Sequence, residues 1–471
     1  MIMTVSRAAT APPFTDPSGA PCSLPAPELE AQVRRDDRRH VFHSWSAQAA
    51  IDPLPIAAGR GATFWDYEGR AYLDFSSQAV NLNLGHQHPD LVEAIQRQAG
   101  RLATIQPSFA NDVRGELARR IAGVAPEGME QVFFTNGGTD ANEHAVRMAR
   151  LVTGRRKVLA FYRSYHGATA TAIALTGDPR RWANEPSDGG VVHFFGPYAY
   201  RSAFHAGSPE QETALALEHL EQVIALEGPD TIAAVIMETV VGTNGVLVPP
   251  PGYLEGVREL ADRHGFLYIA DEVMVGFGRV GEWFAIDAYG GRPDLITFAK
   301  GVNSGYVPLG GVILSERVAR HFEERVFPGG LTYSGHPLAA AAGVATFDIF
   351  ERDGILERVR DLGRRVVEPA LRELDARHPS VGDVRGRGLF WALELVRDRQ
   401  TREPLVPFNA SGPSAAPMAE IAGAAKGRGV WPFVHFNRLH LAPPLVIEED
   451  ELRRGIAVYD EVLSIADRYT S

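Results

Sequence analysis

Gln131-Val132-Phe133-Phe134-Thr135-Asn136-Gly137-Gly138-Thr139-Asp140-Ala141-Asn142-Glu143-His144-Ala145 is the stretch whose reading decides the fold. A short β-favouring run ends in a polar turn with two adjacent glycines, and a helix-forming run starts at once. The same alternation continues to residue 314. Apolar runs at Gln131–Thr135, Lys157–Phe161, Val191–Phe195, Ile232–Met237, Phe266–Ala270, Leu295–Phe298 and Gly311–Leu314 predict strands, with helical spacing between them. Strands that alternate with helices make parallel β-α units. The expected core is therefore α/β, a mostly parallel seven-stranded sheet flanked by helices.

Outside this core the pattern loosens. Upstream, a helix is predicted over Ala31–Ala50, strands over Ala62–Tyr67 and Ala71–Phe75 around a Glu68-Gly69 turn, and helices over Asp90–Leu102 and Val113–Ala122. Downstream come helices over Leu338–Asp353 and Val359–His378, a strand over Gly388–Glu394, and a closing strand-and-helix unit from about Val430 to Tyr469. The prolines Pro12, Pro13, Pro17, Pro21, Pro25 and Pro27 predict a flexible tail over residues 1–30. The expected organisation is the tail, then 31–85 as the first part of a small domain, 86–335 as a large domain, and 336–471 completing the small one. That small domain would be an α+β lobe built from both ends of the chain.

The totals bound the function. The chain has 471 residues, 47 Lys+Arg against 58 Asp+Glu, a net charge of -11 and 45% hydrophobic residues. That balance suits a core-burying enzyme and argues against nucleic acid or an anionic membrane as partner, since phosphate binding needs clustered cations. No run approaches the ~20 apolar residues of a membrane span. The opening residues resemble no signal peptide, and the single cysteine, Cys22, forms no internal disulfide. A cytoplasmic protein is expected.

Lysine occurs only at Lys157, Lys300 and Lys426; every other basic residue is arginine. Where covalent chemistry needs a primary amine, arginine cannot substitute, because its guanidinium stays protonated. Lys300 sits at a telling place, just after the predicted strand Leu295–Phe298. In open α/β sheets ligands bind beyond the carboxyl ends of strands. Two other such ends carry acids: Glu238 after Ile232–Met237 and Asp271 after Phe266–Ala270. Singly, each reads as an ordinary exposed or ion-paired side chain. Together they bring an amine and two carboxylates to one edge.

The glycine turn before Asp140 adds an anion seat, because main-chain N–H groups and the helix dipole favour a phosphate there. Such turns are also common as plain structure. A phosphate seat, a carboxylate and an irreplaceable lysine are the three requirements of pyridoxal 5′-phosphate. Asp271 fits the ring-nitrogen partner and Lys300 the Schiff-base amine. Tyr165, in Ser164-Tyr165-His166-Gly167, is placed to stack on the ring; a buried Tyr-His pair in the core is the alternative.

These residues resemble a known family, the class III or ω-amino acid aminotransferases of PLP fold type I. The resemblance runs from about Phe64 to Ala466. It is carried by Asn136-Gly137-Gly138-Thr139-Asp140-Ala141-Asn142-Glu143, Tyr165-His166-Gly167, Asp271-Glu272-Val273, Phe298-Ala299-Lys300-Gly301 and Thr332-Tyr333-Ser334-Gly335-His336-Pro337. It implies that Gly138 and Thr139 bind the phosphate and that Tyr165 covers one ring face, with His166 beside it. Val273 would pack on the other face, Asp271 would pair with the pyridinium, and Lys300 would hold the cofactor. Glu238 would lie nearby, orienting polar groups or gating an acceptor's carboxylate. Thr332 would reach the neighbouring protomer's phosphate, which implies a homodimer with shared sites, or a tetramer built from it. Gly138-Thr139-Asp140 departs conservatively from the commoner Gly-Ser-Glu.

Substrate choice is thinner. Gly429-Val430-Trp431-Pro432-Phe433-Val434-His435-Phe436-Asn437-Arg438-Leu439-His440 resembles the taurine aminotransferase subgroup. Many members place an arginine shortly after this strand; here Pro432 and Phe433 stand instead. Arg438 or Arg163 would then meet an anionic ligand, although Arg438 also reads as a surface strand residue. Trp45 would line the donor side, or else pack in the core. The expected reaction moves an amino group from an ω-amino acid, aminosulfonate or amine donor to pyruvate or 2-oxoglutarate in a ping-pong cycle. The alternatives are an aminotransferase for a larger aldehyde or ketone, an aminomutase of the same fold, and a PLP-binding scaffold without turnover.

Overall fold

Seven strands form the central sheet, in the spatial order Gln131–Thr135, Gly310–Leu314, Leu295–Phe298, Leu267–Asp271, Ile232–Glu238, Lys157–Phe161 and Val191–Phe194. Gly310–Leu314 runs against both its neighbours, and every other pairing is parallel. The computed structural model describes residues 14–15, 21–22, 27–185 and 189–470. The middle strands are buried along their whole length and mostly apolar up to the acids Glu238 and Asp271 that end two of them, as parallel sheets covered by helices require.

The helix Gly138–Thr153 supplies one cover. Its Ala141, Ala145, Val146, Met148 and Ala149 pack on Val158, Ala160, Ala234 and Ile236. Leu220 and Ile224 of the helix Pro209–Glu227, with Val257 and Leu260 of Tyr253–His264, belong to the cluster on the other face. Small residues on the first helix let it sit close to the sheet, which brings its amino end down onto the strand ends.

The remaining strands lie before residue 75 and after residue 380. Val430–Trp431 pairs in parallel with Ala71–Asp74, so the far end of the chain completes a sheet begun near its start. A second antiparallel sheet is made by Val381–Arg387, Phe390–Asp398, Arg438–Leu441 and Phe433–His435, edged by Glu403–Pro404. The architecture is the expected one: a mixed α/β core and a smaller α+β part from both termini.

Three local expectations need correction. The early helix spans Pro27–His40, not Ala31–Ala50. Beyond it Gln48 exchanges hydrogen bonds with the main chain of His43 and Ser46, and Trp45 sits at φ +60°, so side chains compete the helix away. Pro27 starts that helix, where a proline's missing N–H costs nothing, and Phe14–Thr15 pairs with Pro21–Cys22. The rest of the predicted 1–30 tail lies outside the described residues. The strand expected at Gly388–Glu394 is Phe390–Asp398, because Gly388, at φ +60°, belongs to the turn from the preceding strand.

Candidate active site

The carboxyl ends of the parallel strands meet at one edge of the sheet, with Glu238 beside Asp271 and Asp271 beside Thr297 in register. A cleft of about 370 Å³ opens there. Gly138, Thr139, Tyr165, His166, Glu238, Asp271, Val273 and Lys300 all line it. These residues span more than 160 positions of sequence, and the sheet edge alone unites them.

The anion seat is the amino end of Gly138–Thr153. Its cap residue, Gly137, offers no side chain, so the first-turn N–H groups have no partner within the helix. They and the helix dipole are what a phosphate needs. Gly138 must be glycine here: a Cβ would come within 2.6 Å of Val273 Cγ1. Glu143 serves a neighbouring helix instead, accepting the N–H groups of Thr171 and Ala172 at 2.8 and 3.0 Å.

Asp271 is buried and firmly held. Its Oδ2 accepts from Asn142 Nδ2 at 2.8 Å and faces His166 Nδ1 at 2.7 Å, while Oδ1 accepts the N–H of Val273 at 3.0 Å. Asn142 Nδ2 also donates to the His166 carbonyl, and Asn142 Oδ1 accepts from Thr297 at 2.7 Å. These contacts fix the carboxylate's position and orientation at the strand end. Sequence reasoning quoted Asn142 only as part of a motif. The signal was present: it falls one helical turn after Gly138, a polar residue amid the alanines that face the sheet.

Lys300 opens a single tight turn, Lys300–Val302, at φ +47°, a left-handed conformation unusual for a side-chain-bearing residue. Burial lowers its pKa against the opposing pull of Asp271 and Glu238. The neutral amine is the nucleophile and the proton acceptor, so this shift suits both jobs. Glu238 is buried too, with Oε1 accepting the Tyr165 N–H and Oε2 the Gly242 N–H, each at 2.8 Å. Burial first, and then the charge of Asp271, push its carboxyl up to about 7.

One face of the Tyr165 ring is covered by Arg180, whose Cζ lies 3.7 Å from the ring centroid. Trp45 stands edge-on to Tyr165 at 6.1 Å and within 5.8 Å of the same guanidinium. Arg180 gives Nε to buried Asp178 Oδ2 at 2.9 Å and pairs through Nη2 with the same acid. Asp178 is steadied in turn by Asn244. Nothing in Asp178-Pro179-Arg180 announces this; only tertiary packing sets Arg180 over Tyr165.

The other candidates lie elsewhere. Thr332 is exposed and lines no part of its own chain's cleft. Arg163 stacks on Tyr198 and Phe408, at 5.2 and 5.5 Å, outside the cleft lining. Arg438 is not a surface residue: it is 2% exposed, because its strand lies inside the antiparallel sheet and its side chain turns toward Glu394, 3.6 Å away.

The cleft thus offers an anion seat narrowed by Gly138, a held carboxylate, an aromatic face and a buried amine. That donor set fits pyridoxal 5′-phosphate. The family model for aminotransferase class-III matches residues 46–463. The chain belongs to the class III aminotransferases. As one of them it is a PLP-dependent transferase acting on small amine donors and keto acids. A solved taurine:2-oxoglutarate aminotransferase from Bifidobacterium kashiwanohense, in complex with PLP and glutamate, is 41% identical at a TM-score of 0.90, covering 93% of this chain and 98% of that one. A taurine–pyruvate aminotransferase of Bilophila wadsworthia is 33% identical over 93% of this chain and 98% of its own. A putrescine–pyruvate aminotransferase of Pseudomonas aeruginosa is 38% identical over 74% and 78%. Among the described residues no helix of this aminotransferase is long and apolar enough to cross a membrane.

Proposed function

We propose that this aminotransferase takes its amino group from an acidic ω-amino donor, a taurine-like aminosulfonate or a β- or ω-amino acid, and passes it to pyruvate or 2-oxoglutarate. The observation that carries the reading is Arg180, a cation held over the cleft residue Tyr165 and beside Trp45. Its pairing with Asp178 leaves Nη1 for a sulfonate or carboxylate. The relatives that act on taurine support an acidic donor, and the putrescine enzyme supplies the contrasting basic one.

The residue roles follow from the cleft. The bound cofactor supplies an electron sink for the bond broken at the donor carbon. Lys300 Nζ would hold the cofactor and, once free of it, would move the proton from the donor carbon. Asp271, held in place by Asn142, His166 and the Val273 N–H, would pair with the ring nitrogen. The first-turn N–H groups at Gly138 and Thr139 would hold the phosphate, and Val273 would pack against the ring. The face of Tyr165 that Arg180 leaves free is the one for stacking, and Glu238 fixes that tyrosine through its N–H.

Two subunits share these sites in this reading. Thr332, exposed on its own chain, serves the neighbour's phosphate. Light scattering should give a dimer or a multiple of it, and Thr332→Val should loosen cofactor without emptying the cleft of its own residues. A cytoplasmic location accompanies the reading, on the composition and the single cysteine.

The deciding experiment is a visible spectrum of the purified protein before and after adding taurine, β-alanine or a neutral amine, with no acceptor. A band near the bound cofactor's absorption that bleaches with the acidic donors supports the proposal. Bleaching by the neutral amine alone overturns the donor class. A band that never changes leaves the aminomutase, a larger carbonyl substrate or a silent scaffold.

A further inference from the structure

Behind Glu238 lies a second pocket of about 90 Å³, and Glu238 is the one residue it shares with the cofactor cleft. Its walls are mostly apolar, with Phe161, Val241, Leu247 and Tyr253 among them. Two arginines, Arg163 and Arg201, also line it, together with Tyr198. Each oxygen of Glu238 already accepts one main-chain N–H group.

The arginines around this pocket are unevenly partnered. Arg201 and Arg385 both pair with buried Glu394, and Arg385 also pairs with Asp383. Arg438 lies 3.6 Å from the same glutamate and donates Nη2 to Tyr198 at 3.2 Å. Arg163 makes no ion pair and no side-chain hydrogen bond among the described residues, and rests only on the faces of Tyr198 and Phe408. Four guanidinium groups therefore share Glu394 and Asp383, with buried Glu212 accepting the Tyr198 N–H and Glu238 in the pocket wall. Within the cluster Arg438 Nε and Nη1 and Arg201 Nη2 are buried without a hydrogen-bond partner. Arg438 is 2% exposed. Buried guanidinium donors left without a partner are costly unless an acceptor meets them.

We propose that this pocket is a second ligand site, distinct from the cofactor cleft, that takes a short organic carboxylate with an apolar body, its charge on Arg163 and Arg201. At roughly 10–15 Å³ for each water-sized centre, the volume suits a molecule of about six non-hydrogen atoms. Exposed Tyr162 and Phe195 are among its lining residues and mark its opening. The inference stands apart from the choice of amine donor. It also gives Arg163 a task outside the cleft, where the sequence alone suggested a substrate contact.

The test uses holoenzyme reduced with borohydride, which fixes the cofactor on Lys300 and silences turnover. Calorimetric titration with butyrate should show one site per chain, and 1-butanol should not bind. Arg163→Met should weaken butyrate by at least about tenfold, as expected when a charge-assisted contact is lost. Ala203→Trp, an exposed lining position whose new side chain fills the pocket, should abolish binding, and Arg180→Met should leave it intact. Absent butyrate binding, equal binding of 1-butanol, or binding that survives both Arg163→Met and Ala203→Trp overturns the site. Binding lost in Arg180→Met but kept in Arg163→Met also overturns it, by placing butyrate in the cleft. If the protein holds no reducible chromophore, the cofactor roles of the preceding section fail, and the titration proceeds on the untreated protein.

Discussion

Glu238 Oε1 accepts the main-chain N–H of Tyr165 at 2.8 Å, so a buried acid at one strand end fixes the aromatic residue after another. The contact ties the cofactor's expected cover to the sheet rather than to a loop. It also places a group that burial has pushed up to about 7 within the cleft. Above that value Glu238 is charged and accepts both N–H groups strongly; below it one of them faces a proton. We expect kcat/KM of the wild type to bend near pH 7, and Glu238→Gln to flatten that bend. A bend unchanged in Glu238→Gln would assign it to another group.

Lys300→Arg should lower turnover by at least about 10³-fold, since arginine supplies neither the nucleophile nor the proton shuttle. Cofactor should still bind through the remaining contacts, without the absorption of the lysine-linked form. Measurable turnover in this variant would remove the role given to Lys300.

Asn142→Ala removes one donor from Asp271 and a second bond to the His166 carbonyl. A hydrogen bond to a charged group contributes about 1.5–3 kcal/mol, so cofactor should be held roughly 10- to 100-fold more weakly. Equilibrium dialysis against free cofactor reads this directly. Gly138→Ala should have a similar effect for a steric reason, because its Cβ would meet Val273 at 2.6 Å.

Arg180→Met should raise KM for taurine or β-alanine by about tenfold or more, leaving a neutral amine little affected. The ratio of the two kcat/KM values is the check. An equal loss for both donors would make Arg180 a support for Tyr165 rather than a contact for the donor's acid.

Glu272 gives a stability signature. It is fully buried, accepting from Thr239, Ala285 and Ile286, and burial is the leading cause that pushes its carboxyl up to about 7. In the unfolded chain the same group titrates near 4.5. Between these values the unfolded chain releases the proton while the folded chain keeps it. Stability therefore falls as pH rises through that window, by an amount on the order of 3 kcal/mol for such a shift. Urea midpoints at pH 5 and pH 8 should differ less in Glu272→Gln than in the wild type.

Much of this protein was legible in its sequence, for identifiable reasons. The central strands are buried on both faces, so they read as unbroken apolar runs, and their bounds agree with the structure to within about a residue. The meeting of Lys300 and Asp271 in one cleft was legible because Asp271 closes one parallel strand and Lys300 follows shortly after another, at the edge where ligands bind. The short segment after His40 was not, because its conformation depends on Gln48 folding back on His43 rather than on periodicity.

What the sequence determined by itself is the sheet and the edge where Asp271, Glu238 and Lys300 gather, since these follow from local hydrophobic period and strand ends. What only the tertiary structure decided is the placement of the arginines. Arg180 over Tyr165, Arg438 sunk beside Glu394 and Arg163 facing a separate pocket are all long-range meetings. A guanidinium's partner is chosen by three-dimensional charge and packing, and no spacing along the chain records that choice.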